Sequence, residues 1–297
     1  MRIALTGGTG FLGRYLLRGA VQGGHSVRAW TRRPTADMPT LAGVEWCAGA
    51  LGDAPACRPL VAGCDAVVHA ALHHPGGGYR RASAGSLLEF VQANVLGTLQ
   101  LIEAARAAGV PRFVFISTCA VHERILEDRT LDEAHPLWPT SHYGAHKAAI
   151  EKFVHSFGLG DGYAICSLRP TGIYGLAVPP AASKWFDLVH AVARGDAVRV
   201  ERGGKEVHAA DVAAAVELLL RTPAEQIAGQ AFNCCDRYIS EYDVAHVAQQ
   251  LSGARGRIDG EPKRPRHEID TRKLGALGMR FGGNDLLKRT VAEMLAA

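Results

Sequence analysis

The feature that most constrains this chain lies at its start. An apolar run, Arg2 to Thr6, passes directly into Gly7-Gly8-Thr9-Gly10-Phe11-Leu12-Gly13, and a segment of helical period, Leu12 to Gln22, begins at once. Glycines at this spacing meet three steric needs: Gly7 permits a tight turn, Gly10 lets backbone approach a ligand, and Gly13 lets the helix lie close to the strand. A helix amino terminus reached in this way offers amide donors and a favourable dipole to an anion such as a pyrophosphate. The chain is therefore read as opening with a dinucleotide-binding strand-turn-helix unit.

The pattern that follows repeats this alternation. Short apolar runs bounded by glycine or polar turns predict strands near Arg2 to Thr6, Ser26 to Trp30, Val44 to Cys47, Ala66 to His69, Arg112 to Ile116 and Ala164 to Leu168. Helical periods predict helices near Leu12 to Gln22, Leu87 to Ala108 and His142 to Phe157, and a weaker one near Ala54 to Val61, where Pro55 and Pro59 intrude. The fold class implied is α/β: a Rossmann-type, doubly wound parallel sheet whose ligands sit at the carboxyl ends of the strands. Beyond Pro170 the pattern loosens, with an amphipathic segment at Trp185 to Arg194, a short strand at Val198 to Glu201, a helix at Asp211 to Leu220 and a proline-rich loop at Pro262 to Pro265. We expect a sheet domain over residues 1–170, completed by 205–236, and a smaller carboxyl-terminal substrate-binding region over 171–297.

Composition excludes several classes. Of the 297 residues, 47% are hydrophobic and 21% charged, and no window approaches the roughly 20 apolar residues of a membrane span, so no membrane partner is expected. Met1 to Thr6 reads as a strand rather than a basic leader, from which a cytoplasmic protein is expected. Seven cysteines at spacings unlike any zinc ribbon or thioredoxin-like pair read as reduced thiols, and Cys234 and Cys235 would face opposite sides of a strand. A net charge of +4 without basic-aromatic alternation gives no nucleic-acid surface, and Lys263, Arg264 and Arg266, broken by prolines, read as a solvated loop.

The second strand bears on the cofactor. It ends in Trp30-Thr31-Arg32-Arg33, where an acid would bond the ribose hydroxyls of NAD and an arginine would accept the extra phosphate of NADP. Without an acid, Arg32 and Arg33 favour NADP over NAD. Farther on, Tyr143 and Lys147 stand one helical turn apart in Tyr143-Gly144-Ala145-His146-Lys147 and share a face. A phenol, with an unperturbed pKa of about 10, acts as an acid near neutrality only beside positive charge, which Lys147 supplies. An ordinary amphipathic helix would show the same spacing. Chemistry is favoured by the strand Arg112 to Ile116, which delivers Ser117 and Thr118 to the carboxyl edge of the sheet.

These residues carry a resemblance. With Val67-Val68-His69-Ala70-Ala71, Asn94-Val95-Leu96-Gly97-Thr98, Leu168-Arg169-Pro170 and Val207-His208-Ala209-Ala210-Asp211-Val212, the chain resembles the extended short-chain dehydrogenases/reductases, a family that includes nucleotide-sugar epimerases. The resemblance implies Thr118, Tyr143 and Lys147 as catalytic residues, with Lys147 also on the nicotinamide ribose. It implies Gly7, Gly10, Phe11, Leu12, Gly13, Leu51, Ala70 and Ala71 along the cofactor, beside Arg32 and Arg33. Asn94 is expected to hold helix and strand in register. His69, His73 and His74 invite a metal reading, but His69 fits the family strand and the others precede a loop at Pro75-Gly76-Gly77-Gly78, so no metal is expected.

Several positions depart from the family pattern. Thr118 is followed by Cys119-Ala120 where sugar dehydratases carry two acids, and His122 and Glu123 replace the usual tyrosine and glycine. The arginine that grips a sugar diphosphate is missing: Gly203-Gly204-Lys205 stands there, with Arg199, Arg202 and Lys205 as possible substitutes. An acid expected near Ala50-Leu51 is absent, although Asp53 is close. Three functions remain: an NAD(P)-dependent epimerase or ketoreductase for a nucleotide sugar or related carbonyl compound, an NADPH-dependent reductase or dehydrogenase for a small non-nucleotide ketone or alcohol, and a cofactor-sensing protein without chemistry. The intact Thr118, Tyr143 and Lys147 set argues against the last. Apolar residues on more than one side of the Leu87 and His142 helices imply a homodimer.

Overall fold

The structure is a computed structural model and describes residues 1–74 and 87–297. The loop expected at Pro75-Gly76-Gly77-Gly78 lies outside the described residues. In chain order the first elements are β1 (Arg2–Thr6), α1 (Phe11–Gln22), β2 (Ser26–Thr31), β3 (Val44–Ala48), α2 (Ala54–Val61), β4 (Ala66–His69), α3 (Leu87–Val91), α4 (Gly97–Ala107), β5 (Arg112–Ile116), α5 (His142–His155) and β6 (Ala164–Pro170). There follow β7 (Gly172–Tyr174), α6 (Phe186–Ala193), β8 (Val198–Val200), β9 (Gly203–His208), α7 (Ala209–Arg221), α8 (Ala224–Ile227) and β10 (Gln230–Cys234). The last are β11 (Arg237–Ser240), α9 (Glu241–Ser252), β12 (Ile258–Gly260), α10 (Arg272–Ala276) and α11 (Gly283–Leu295).

The chain divides into two units. The first gathers Met1–Arg169, Ala213–Cys234 and Asp270–Met279; the second gathers Pro170–Val212, Cys235–Ile269 and Arg280–Ala297. The first unit is built on a seven-stranded sheet ordered β10-β6-β5-β4-β1-β2-β3, with parallel pairing from β6 through to β3. Because β1 lies between β4 and β2, the connections leave it in opposite directions. The carboxyl ends of β1 and β4 therefore border a crevice of the kind that receives ligands in open α/β sheets. Strands β4 and β5 read as nearly unbroken apolar runs because both faces are covered: Val67, Phe113, Phe115, Leu101, Ile102 and Ile150 are all buried.

In the second unit, β9 pairs in parallel with β7 and antiparallel with β11, while β8 pairs with β12. Its core includes Tyr174, Val189, Ile239, Val244, Leu287 and Val291. Helix α9 starts at a capping box of Ser240 and Asp243 and stops at Gly253, whose φ of +71° a side chain would resist.

Two expected helices differ in detail. The single helix expected over Leu87 to Ala108 is split by a wide π turn, Gln92–Leu96, between α3 and α4. There Asn94 Nδ2 donates to Phe90 O at 3.0 Å and Thr98 Oγ1 to Asn94 O at 2.6 Å, so side chains take up carbonyls of the widened ladder. Helix α5 ends at His155 and gives way to a second wide turn, Ser156–Gly160. Gly158 accounts for the close packing there, since a Cβ on it would lie 1.9 Å from Gly229 N. Helix α2 forms in spite of its prolines: Asp53 caps its start, Pro55 lies in the first turn where no donor is needed, and Arg28 Nη1 donates to Pro59 O and Ala62 O, each at 2.8 Å. Strand β10 ends at Cys234, so Cys235 falls beyond the strand. All seven cysteines are free thiols, and five are buried.

The position of α1 depends on one missing methyl group. A Cβ on Gly13 would lie 2.0 Å from Gly7 O and 2.7 Å from Gly8 Cα, both backbone atoms that cannot swing away. Gly13→Ala is expected to cost about 1–3 kcal/mol by forcing the helix off the loop. Gly160→Ala, where nothing lies within 4 Å, should leave stability nearly unchanged. Thermal denaturation of the two variants checks the contrast; equal melting temperatures would show that the loop tolerates the displacement.

Candidate active site

The glycine loop is closed by backbone on two sides. Gly7 adopts φ +77°, and a Cβ on it would stand 2.8 Å from the Ala70 carbonyl and from Ala71 N, so the end of β4 abuts the loop. Gly10 donates its amide to Gly7 O at 3.0 Å, while Thr9 and Gly10 are themselves exposed. Gly10 is the N-cap of α1, without a side-chain cap and without an acid in the first turn. No side chain caps the first amides of α1, which begins at Phe11, and no first-turn carboxylate repels an anion, so the cradle fits the pyrophosphate of a dinucleotide. Phe11 and Leu12 are half-buried beside it, with the Phe11 ring 5.7 Å from that of Tyr15. Ala70, Ala71 and Leu51 are half-buried as well. Asp53 is committed elsewhere, accepting from Ala56 N as the cap of α2.

Beneath the loop runs a directed chain of hydrogen bonds. Thr98 Oγ1 donates to Asn94 O, so at 2.9 Å it must accept from His69 Nε2–H. That leaves His69 Nδ1 to accept from Thr6 Oγ1 at 2.6 Å, and Thr6 Oγ1 accepts from Ala71 N at 3.1 Å. Burial, aided by the charge of Lys147, pushes the His69 pKa down to about 3, so the ring is neutral. Both nitrogens are occupied within the fold. Asn94 in turn accepts from His73 N and donates to His73 O, each at 2.8 Å, tying the chain after β4 to the π turn. Among the described residues no group of three or more His, Cys, Asp or Glu could hold a metal.

At the carboxyl end of β5 the elements converge. Lys147 is buried, donates from Nζ to Ile116 O at 2.7 Å and lies 4.5 Å from the centre of the Phe115 ring. Burial lowers its pKa to about 7, against the opposing pull of Glu151. Thr118 follows two residues after Ile116 and caps the 3-10 turn Cys119–His122, its Oγ1 accepting from Ala120 N at 3.1 Å. That turn packs on the start of α5 so closely that a Cβ on Gly144 would lie 2.6 Å from Ala120 O. Tyr143, half-buried, stands in this first turn, its ring 5.5 Å from that of His146. Burial and the Lys147 charge push His146 down to about 2, which keeps it neutral.

Ser117 takes a different part from its neighbour. Its Oγ donates to Glu151 Oε1 at 2.5 Å, and Glu151 holds Arg169 through Nε and, at 2.6 Å, through Nη2. Both charged side chains are 1% exposed. Arg169 Nη1 donates further to Glu133 O and to His122 Nε2, each at 3.2 Å. Glu151 went unremarked in the sequence, although it lies one turn beyond Lys147 on the same face of α5, a signal that could have revealed it.

Arg32 and Arg33 are exposed just past β2, where Thr31 Oγ1 accepts from Arg33 N at 3.1 Å. In the second unit, Arg199 pairs with Glu201 and Arg202 with Glu241. Glu206, next to the Gly203-Gly204-Lys205 stretch, is 3% exposed and accepts from Lys184 Nζ. Burial raises its carboxyl although Lys184 opposes this. A Cβ on Gly172 or on Gly204 would come within 2.5 Å of its carboxylate oxygens, so the acid lies flat across two glycines.

Residues 3–235 match the NAD dependent epimerase/dehydratase family. The chain belongs to that family. Among its relatives are a 4-hydroxy-2-methyl-3-oxo-4-farnesyl-3,4-dihydroquinoline-1-oxide ketoreductase of Stigmatella aurantiaca, 38% identical over 59% of this chain and 51% of that protein. A 2-alkyl-3-oxoalkanoate reductase of Stenotrophomonas maltophilia is 37% identical over 59% of this chain and 52% of its own length. The matched stretch thus spans about half the length of these relatives. Among solved structures, a dTDP-glucose 4,6-dehydratase of Streptomyces venezuelae with NAD bound superposes with a TM-score of 0.75 at 25% identity, covering 98% of this chain and 96% of that one. Among the described residues no helix is long and apolar enough to cross a membrane.

The depressed lysine makes stability depend on pH in a defined direction. Between about 7 and the ordinary 10.5, the unfolded chain binds a proton at Lys147 that the folded chain does not, so the Lys147 contribution to stability rises with pH across that window. The difference in unfolding free energy between the cofactor-free native protein and Lys147→Met should therefore increase from pH 7 to pH 10. Denaturant titrations at several pH values measure it; a flat difference would mean that the ammonium is not desolvated.

Proposed function

We propose that this protein reduces a ketone to an alcohol with a nicotinamide cofactor, Tyr143 delivering the proton. The observation that carries this reading is the convergence of Thr118, the first turn of α5 with Tyr143, and the buried Lys147 at the end of β5. Gly7, Gly10 and Gly13 would cradle the pyrophosphate, Phe11, Leu12, Leu51, Ala70 and Ala71 would flank the cofactor, and Lys147 would hold the nicotinamide ribose. The reduced cofactor, when bound, would supply the hydride for the carbonyl carbon. Thr118 holds the carbonyl oxygen by a hydrogen bond, and Tyr143 gives that oxygen its phenol proton. The Lys147 ammonium lowers the cost of the phenolate left behind. In this reading the first unit carries cofactor and chemistry, and the second supplies substrate contacts.

Two features support a substrate without a diphosphate. The stretch expected to hold a gripping arginine is followed by a buried acid, Glu206, and the exposed Arg199 and Arg202 already serve Glu201 and Glu241. The two relatives described above are named as reductases of ketones. A second reading, epimerisation of a nucleotide sugar, keeps the nucleotide-sugar substrate class of the dTDP-glucose 4,6-dehydratase that the whole chain resembles, but not that enzyme's reaction. Sugar 4,6-dehydration is disfavoured because Cys119-Ala120 follows Thr118. The exposed Arg32 and Arg33 favour NADP.

Denaturing the purified protein and identifying any released nucleotide separates the two readings. An empty protein that takes up NADPH supports the reductase, whereas tightly retained NAD supports the epimerase. With a short β-keto ester as probe, Tyr143→Phe should lose about 100-fold or more in turnover while keeping its affinity for NADPH; near-native turnover would remove Tyr143 from the mechanism. Arg32→Ala should weaken NADPH about tenfold or more and leave NADH nearly unchanged, as expected for the loss of a charge-assisted bond. Equal losses in a fluorescence titration would sink the NADP assignment.

A further inference from the structure

Glu123 belongs to no assigned role and departs from the family pattern, yet both of its oxygens are fully engaged. Oε2 accepts from Thr140 N, from Thr140 Oγ1 at 3.0 Å and from Ser141 N at 2.8 Å, while Oε1 accepts from Ser141 Oγ at 2.8 Å. Ser141 is the N-cap of α5, and its Oγ accepts in turn from Gly144 N at 3.1 Å. A directed relay thus runs from the Gly144 amide through Ser141 to Glu123, and Tyr143 lies in the stretch of chain between Ser141 and Gly144. Glu123 immediately follows the 3-10 turn that Thr118 opens, so one short turn has Thr118 at its start and the clamp on α5 at its end. The contact of Gly144 with Ala120 O fixes the same turn from the other side.

We propose that Glu123 is a positioning residue, which sets the first turn of α5 against the 3-10 turn and thereby places the Tyr143 phenol relative to Thr118 and Lys147. A neutral side chain could not accept four donors at once, which explains a carboxylate at this position. Burial opposes the charge, but the bonds from Thr140 and Ser141 outweigh it and hold the carboxyl below the usual range. The proposal rests on the reading of Tyr143 as the proton donor and adds to it the residue that holds the donor in place.

The test reads the phenol directly. Tyr143 ionisation is followed by ultraviolet absorbance as the difference between each protein and its Tyr143→Phe counterpart, with NADP⁺ bound. Loss of position moves the phenol away from the positive nicotinamide ring of the added NADP⁺, which stays charged where a phenol titrates, so in Glu123→Ala its midpoint should rise by about one pH unit, toward the unperturbed value of about 10. Glu123→Gln, which keeps size and one good acceptor, should rise less. Loss of a negative charge alone acts the other way and would lower the midpoint. Turnover of the β-keto ester should fall about tenfold in Glu123→Ala with KM changed less than about threefold, as for a misplaced acid in an intact site. A midpoint that stays the same or falls in both variants overturns the proposal. The function assigned to Tyr143 is judged separately, by the turnover of Tyr143→Phe, so the two ideas fail by different results. Should Glu123→Ala unfold, Glu123→Gln alone decides, since its midpoint must still rise.

Discussion

The buried pair of Arg169 and Glu151 is the interaction on which the catalytic edge depends. Two charges at 1% exposure would each cost several kcal/mol of lost hydration if left unpaired. Here every part of the guanidinium finds an acceptor: the two Glu151 oxygens, the Glu133 carbonyl and the neutral His122 ring. Ser117 completes the carboxylate. The end of β6, the middle of α5, the residue after β5 and the 3-10 turn thus share one set of bonds. None of them can shift without exposing a buried charge to an apolar surrounding. Tyr143, Lys147 and Glu151 follow one another at intervals of four along α5, so the bond that docks Glu151 also orients the face carrying the other two.

The same economy governs the neutral groups. His69, His122 and His146 are all buried and all pushed far below the ordinary histidine range, chiefly by loss of water. Nearby Lys147 or Arg169 adds to each shift, because a second positive charge in a low-dielectric site is repelled. Of these rings, His69 and His122 serve as neutral donors and acceptors. Lys147 remains the group whose protonation is balanced near neutrality, held by one carbonyl, the face of Phe115 and the more distant Glu151.

Two of the replacements that set this chain apart from the family pattern have physical tasks. His122 offers a lone pair to Arg169 and a proton to Pro136 O at 3.3 Å, joining the buried pair to the loop that follows. Glu123 gathers the backbone and hydroxyls that start α5. As departures they weakened the likeness to known enzymes; as contacts they brace the turn between Thr118 and Tyr143. Glu206 is comparable in the second unit, an acid laid over glycines where the sequence led one to look for a cation.

Local sterics and periodicity made much of the molecule legible from the chain alone. The starts of the six strands from β1 to β6, the tight turn at Gly7 and the shared helical face of Tyr143 and Lys147 depend on residues a few positions apart. What only the tertiary structure decided depends on partners far along the chain. The split of the expected helix at Gln92–Leu96 answers to the close packing of Gly97, where a Cβ would lie 2.5 Å from Gly52 N, and to the bonds of Asn94 with His73. The separation of Ser117 from Thr118, one turned into the Arg169 pair and the other capping a turn, reflects a carboxylate 34 residues away. A side chain's neighbours in sequence determine its backbone, but the cost of burying charge is met by whatever the fold brings beside it, and local pattern does not record that.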